Sequence, residues 1–141
     1  DYSMKGRTYK YFQNEPLYPF GYGLSYSEFQ YSDLEINNQG KRVDVTVSIK
    51  NSGNFDGDEV VQIYTRKLNP KFWRPVKQLV GFSRVSLKKG EQKSITIEID
   101  IKQLQYWDTE QKRYLVEPGE YEFMAGGSSE DIKLKNIIVI Q

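Results

Sequence analysis

Carboxylates are the side chains of this 141-residue chain best placed to do chemistry, because it holds neither histidine nor cysteine. Without imidazole, a site near neutral pH lacks its usual general base and commonest metal ligand. Perturbed carboxylates, lysines or tyrosines would have to move protons. Glu98, Asp100, Glu117, Glu120, Glu122, Glu130 and Asp131 could supply pairs. A two-carboxylate hydrolase needs one acid in an apolar pocket and a second across a cleft. Most of these residues instead alternate with apolar ones or sit in turns, where they solvate a sheet, so no catalytic residue is expected. Asn54-Phe55-Asp56-Gly57-Asp58-Glu59 gathers three carboxylates beside a glycine. A calcium loop needs converging hard oxygens at a spacing this segment lacks, so a charged hairpin loop is expected. No zinc spacing, phosphate-cradling glycine loop or nucleophile elbow is present, and neither metal nor cofactor is expected.

Aromatic residues offer a different chemistry, that of contact. Phe72-Trp73-Arg74-Pro75 sets two rings beside an arginine. Such a loop stacks on sugar faces, docks on a neighbouring domain or covers the sandwich edge, and docking or covering is the commoner use. Trp107, after Tyr106, is expected to plug the core at one end of the fold. Gly6 to Phe29 reads GRTYKYFQNEPLYPFGYGLSYSEF, with eight aromatics, two prolines and three glycines. Its prolines and glycines forbid a long helix and interrupt any strand. An extended strap is the simplest form for it, with Tyr9, Tyr11, Phe12, Tyr18, Phe20 and Tyr22 as candidate interdomain contacts. In an isolated chain these rings would seek cover, and they are expected either to be disordered or to pack against a second copy of the chain.

The elements that must position these residues are strands. Val43, Val45, Val47 and Ile49 alternate with Asp44, Thr46, Ser48 and Lys50, and Ile95, Ile97 and Ile99 repeat the pattern. Period-two alternation marks a strand with one wet face. Further runs are Phe29 to Ile36, Val60 to Tyr64, Leu79 to Leu87, Tyr121 to Ala125 and Ile132 to Ile140. Turn residues separate them, notably at Gly40, Gly90 and Pro118-Gly119, the last suited to a type II turn. About seven short strands imply an all-β, immunoglobulin/fibronectin type III-like antiparallel β-sandwich with an extended N-terminal strap. The strap is assigned to 1–28 and the sandwich to 29–141. Val45, Val47, Val61, Ile63, Phe82, Ile97, Tyr121 and Phe123 should form the core. Leu115 to Tyr121 looks like a tyrosine corner, in which the hydroxyl returns to upstream backbone. Ile101 to Leu104 is the sole helical candidate, about one turn long.

Length and composition bound the rest. A single domain this size buries roughly 68% of its unfolded surface. The charge of +1, from 20 basic and 19 acidic residues, argues against nucleic-acid or membrane partners. The longest apolar run, Ile137 to Ile140, cannot span a bilayer. No signal peptide is visible at Asp1, which means nothing if the chain is a fragment.

GRTYKYF followed by PLYPFGYGLSYSEF resembles the segment that leads from the α/β domain of family 3 glycoside hydrolases into their C-terminal, fibronectin type III-like domain. Downstream, Asn51-Ser52-Gly53, Gly57 to Tyr64, Arg74 to Phe82, Arg84-Val85, Gly90-Glu91 and Val116 to Tyr121 agree with that domain. The resemblance covers essentially the whole chain. It implies a parent of the β-glucosidase or β-xylosidase type, hydrolysing with retention, in the periplasm or outside the cell. The family's nucleophile lies in a (β/α)8 barrel and its acid/base in or near the α/β domain. Neither motif occurs here, so no catalytic residue carries over. The implied role is accessory: bracing the catalytic domains, its partners, and shaping the cleft rim. Two alternatives stay open: a carbohydrate-binding module for oligo- or polysaccharide using Trp73 or Trp107, and a protein-interaction or adhesion sandwich.

Overall fold

The computed structural model describes residues 28–141 apart from Trp73 and Pro75. Tyr9, Tyr11, Phe12, Tyr18, Phe20, Tyr22 and Trp73 therefore lie outside the described residues. Among the described residues nine strands form: β1 (Phe29–Asn38), β2 (Arg42–Asn51), β3 (Gly57–Lys67), β4 (Gln78–Leu87), β5 (Gln92–Asp100), β6 (Gln105–Asp108), β7 (Arg113–Val116), β8 (Gly119–Ser128) and β9 (Asp131–Ile140). Seven of them make two antiparallel sheets, ordered β1-β2-β5 and β4-β3-β8-β9. The remaining pair, β6 and β7, forms a ribbon that the period-two reading did not anticipate, and a 3-10 turn at Ile101–Leu104 precedes it.

The core lies between the two sheets. Val43, Val45, Val47 and Ile49 of β2 have no exposed surface, as alternation requires for a central strand. Ile97 and Ile99 of β5 lie beside them, with Val61, Ile63, Tyr121, Phe123 and Ala125 in the same cluster from the other sheet. Leu104, from the 3-10 turn, is 1% exposed in this cluster. Trp107, expected there, is instead half exposed. It stands opposite Tyr114 across the narrow β6–β7 ribbon, which has too little width to bury both its faces.

Phe82 corrects the sequence reading. It was expected inside and is 66% exposed. Ile63 pairs with Gly81 but Tyr64 with Leu79, so Val80 is an extra residue in β4. A bulge of this kind shifts the alternation by one. Val80 and Gly81 both turn inward, and a Cβ on Gly81 would lie 3.0 Å from Ile97. Phe82, opposite Gln62, is left on the outer face. A second irregularity, between Ser32 and Glu35 with Asp33 at φ 56°, explains the odd spacing from Tyr31 to Leu34.

Asn51 fastens one end of the sandwich. Its buried amide donates to the carbonyls of Phe55 (2.8 Å) and Leu87 (3.1 Å) and accepts from Gly53 N–H (3.0 Å). Three carboxylates of the adjoining segment diverge rather than converge. Asp56 accepts from Lys89 N–H, Asp58 pairs with Arg84, and Glu59 accepts from the Tyr31 hydroxyl. Burial, and then the Glu59 carboxylate, hold that phenol protonated far above its ordinary range.

Candidate functional site

The opposite end carries the contact residues. Tyr121, 1% exposed, donates its hydroxyl to the carbonyl of Glu117 at 2.6 Å. The tyrosine corner read from Leu115 to Tyr121 is thus formed. Gly119, between them, has φ 132°, a value that side-chain-bearing residues rarely adopt. Its missing Cβ leaves room for Lys67 Nζ, which would otherwise lie at 2.6 Å.

Glu117 itself faces inward and is 5% exposed. One carboxylate oxygen meets Arg74 Nη1 at 3.3 Å; the other meets Lys67 Nζ at 3.8 Å and accepts from Lys71 N–H at 3.0 Å. A buried carboxylate needs such company, because an unpaired charge in this environment is expensive. Arg74 donates further to the carbonyl of Leu104 at 2.8 Å and lies over the rings of Tyr106 and Tyr121. The guanidinium read as a contact group is therefore engaged within the domain. It holds the segment between β3 and β4 against the tyrosine corner. Nothing in the sequence near Arg74 signals this, since its partner lies 43 residues away.

Phe72, the other described member of that motif, stacks on Tyr106 with ring centroids 4.6 Å apart and planes at 14°. Together with Arg74, Gln78 and the stretch Gln105 to Glu110 they line an open groove of about 660 Å³. Trp107 borders it, edge-on to Tyr114 at 5.0 Å. Asp108 fixes the rim: its carboxylate accepts from Glu110 N–H (2.9 Å), Gln111 N–H (3.0 Å) and Tyr106 Oη (3.3 Å). The Gln111 N–H, followed by that of Glu110 and the Tyr106 hydroxyl, holds its acid below the ordinary value. Burial and the neighbouring Asp108 push the Tyr106 phenol upward. Both groups are thus fixed in one protonation state near neutral pH. The arrangement suits binding of a flat, hydroxyl-bearing or apolar surface; among the described residues no three acidic side chains gather as metal ligands would.

Comparison with known proteins agrees with the sandwich. The family model of the fibronectin type III-like domain matches residues 59–129. The chain is 39% identical over 137 residues to thermostable β-glucosidase B of Acetivibrio thermocellus, covering 92% of this chain and 18% of that protein. It is 38% identical over 141 residues to a xylan 1,4-β-xylosidase of Xylanibacter ruminicola, covering 99% of this chain and 16% of that one. Its fold superposes on part of the crystal structure of a GH3 β-glucosidase from Bifidobacterium adolescentis with a TM-score of 0.78 and 35% identity, over 87% of this chain and 18% of that structure. The chain thus spans less than a fifth of the length of each of these three relatives.

Proposed function

We propose, since the chain belongs to the fibronectin type III-like domain family, that it is the non-catalytic accessory domain of a family 3 glycoside hydrolase. On this reading it braces the catalytic domains and shapes the rim of their cleft. The parent would hydrolyse β-glucosides, β-xylosides or related sugars with retention, in the periplasm or outside the cell. One observation carries the reading: nearly the whole chain aligns with a minor part of much longer β-glycosidases. The internal clamp at Glu117 supports it, since a brace must hold its loops rigid.

The test replaces the matching segment of the Acetivibrio thermocellus relative with this chain. The chimera should keep its melting temperature and kcat/KM, and plain deletion should lower both. Deletion without effect on either would refute bracing. Alone, the chain should not hydrolyse nitrophenyl β-glucoside, β-xyloside or arabinoside. Turnover that survives repurification, and that one Asp or Glu substitution abolishes, would refute the non-catalytic assignment.

The strap, 1–28, is the proposed contact with those domains, through Tyr9, Tyr11, Phe12, Tyr18, Phe20 and Tyr22. Deleting Asp1 to Gln13 should leave the melting temperature of the isolated chain nearly unchanged and reduce its self-association. Unfolding on deletion would assign those rings to the sandwich's own core.

A further inference from the structure

The groove between the β3–β4 loop and the β6–β7 ribbon has features that bracing does not require. We infer that it binds a neutral, β-linked oligosaccharide. Trp107 is 50% exposed, Tyr114 61% and Phe72 42%, a cluster of large rings at one end of the domain. Alternation along β6 directs Trp107 away from the covered side of the ribbon, but alternation asks only for a polar residue there. A tryptophan at that position leaves apolar ring surface in water. The flat face of a pyranose, edged by C–H groups, covers such a ring while its hydroxyls stay at the rim.

Planar polar side chains meet those hydroxyls. Gln78, Gln105, Asp108 and Glu110 line the same groove as the rings. Asp108 is held in place by two backbone N–H groups and a phenol, so this part of the rim is ordered before any ligand arrives. Phe72 is likewise fixed, by its stack on Tyr106 and by the neighbouring Arg74 anchored to Glu117 and Leu104. A volume of about 660 Å³ falls within the range of small-ligand sites.

Charge selects the class of sugar. Arg74 and Lys67 share Glu117, and Arg113, opposite Asp108 on the ribbon, offsets part of the negative charge of Asp108 and Glu110, so the groove carries no excess of positive charge. Uronic-acid polymers are disfavoured and neutral chains admitted. The inference rests on the β-glycosidase reading only for choosing β-glucan and β-xylan among neutral sugars. It is tested on the isolated chain, whereas bracing is tested in a chimera, so either can fail alone.

Affinity electrophoresis of the full chain in gels containing mixed-linkage β-glucan, β-1,4-xylan or polygalacturonate reads the outcome directly, with cellohexaose and xylohexaose titrated by calorimetry. The chain should be retarded by at least one neutral polymer and not by polygalacturonate. Trp107→Ala and Phe72→Ala should each weaken binding at least about tenfold, as expected for anchoring aromatics. Phe82→Ala, on the remote outer sheet face, should bind as the wild type does. Circular dichroism checks that each variant is folded. An unretarded wild type overturns the inference, as does retardation that both groove variants leave intact. Equal retardation by polygalacturonate overturns the choice of neutral sugar. A wild type that binds no glycan but self-associates until Trp107 is replaced would make the groove a protein contact, and would also overturn it.

Discussion

Replacing Glu117 with Gln tests whether the two ends of the β3–β4 segment are held by charge. The carboxylate is 5% exposed, as is the Lys67 side chain, and Arg74 is 9% exposed. At an effective dielectric of about 20, each contact near 4 Å is worth about 4 kcal/mol before desolvation. Desolvation offsets most of that when the triad forms, but not when one member is removed and buried cations remain. Losing one partner of such a set typically costs roughly 3–5 kcal/mol. Gln retains an acceptor for Lys71 N–H, and the cations retain the carbonyls of Leu68 and Leu104. We therefore expect a smaller loss than that, about 2–4 kcal/mol. Urea denaturation followed by circular dichroism measures it, with an unchanged m-value if the two-state transition persists. Lys67→Met should partly rescue Glu117→Gln, giving a coupling energy of opposite sign to the single losses. A loss below about 1 kcal/mol, or one equal to that of exposed Glu120→Gln, would refute a buried clamp.

Further substitutions probe register, close packing and acid sensitivity. Val47→Ala, at a fully buried position, should cost roughly 1–3 kcal/mol in the same assay, and Thr46→Ala, which loses an exposed 2.9 Å contact with Thr96, less than about 0.5 kcal/mol; Phe82→Ala should resemble the latter, and a core-sized loss would place Phe82 inside. Gly126→Ala would set a Cβ 2.2 Å from the Asp131 carbonyl oxygen and should cost roughly 3 kcal/mol or more, whereas a Cβ at Gly127 meets side-chain carboxylate oxygens, of Glu59 at 3.1 Å and Asp131 at 3.7 Å, and should cost less. Because the folded-state acid of Asp108 is depressed, its contribution is fully present above about pH 4 and is lost as pH falls through the folded value. Asp108→Asn should therefore lose less stability than the wild type between pH 5 and 2 (approximate limits of that window), read as urea midpoints at each pH; an unchanged acid slope would refute the assignment.

What the sequence determined by itself was whatever depends on near neighbours. Period-two alternation placed β2 and β5 and their inward residues, because a strand's side chains alternate whatever lies beside it. Glycines at turns, and Glu117-Pro118-Gly119-Glu120-Tyr121, were legible because positive φ and a four-residue hydroxyl return are local demands. The one-turn 3-10 segment at Ile101–Leu104 was legible for the same reason. Tertiary structure decided the rest. The bulge at Val80 lets Val80 face inward although Phe82, in step with the alternation that buries Val85 and Leu87, faces outward; reading Phe82 from Val80 placed it on the wrong face. The short β6–β7 ribbon gains its partner only on folding, so Trp107 read as core when its exposure depended on how wide that ribbon is. Arg74, Lys67 and Glu117 meet because the sheet order β4-β3-β8 brings distant loops to one end. Charges far apart in sequence carry no mark of their pairing; only the topology that desolvates them together assigns it.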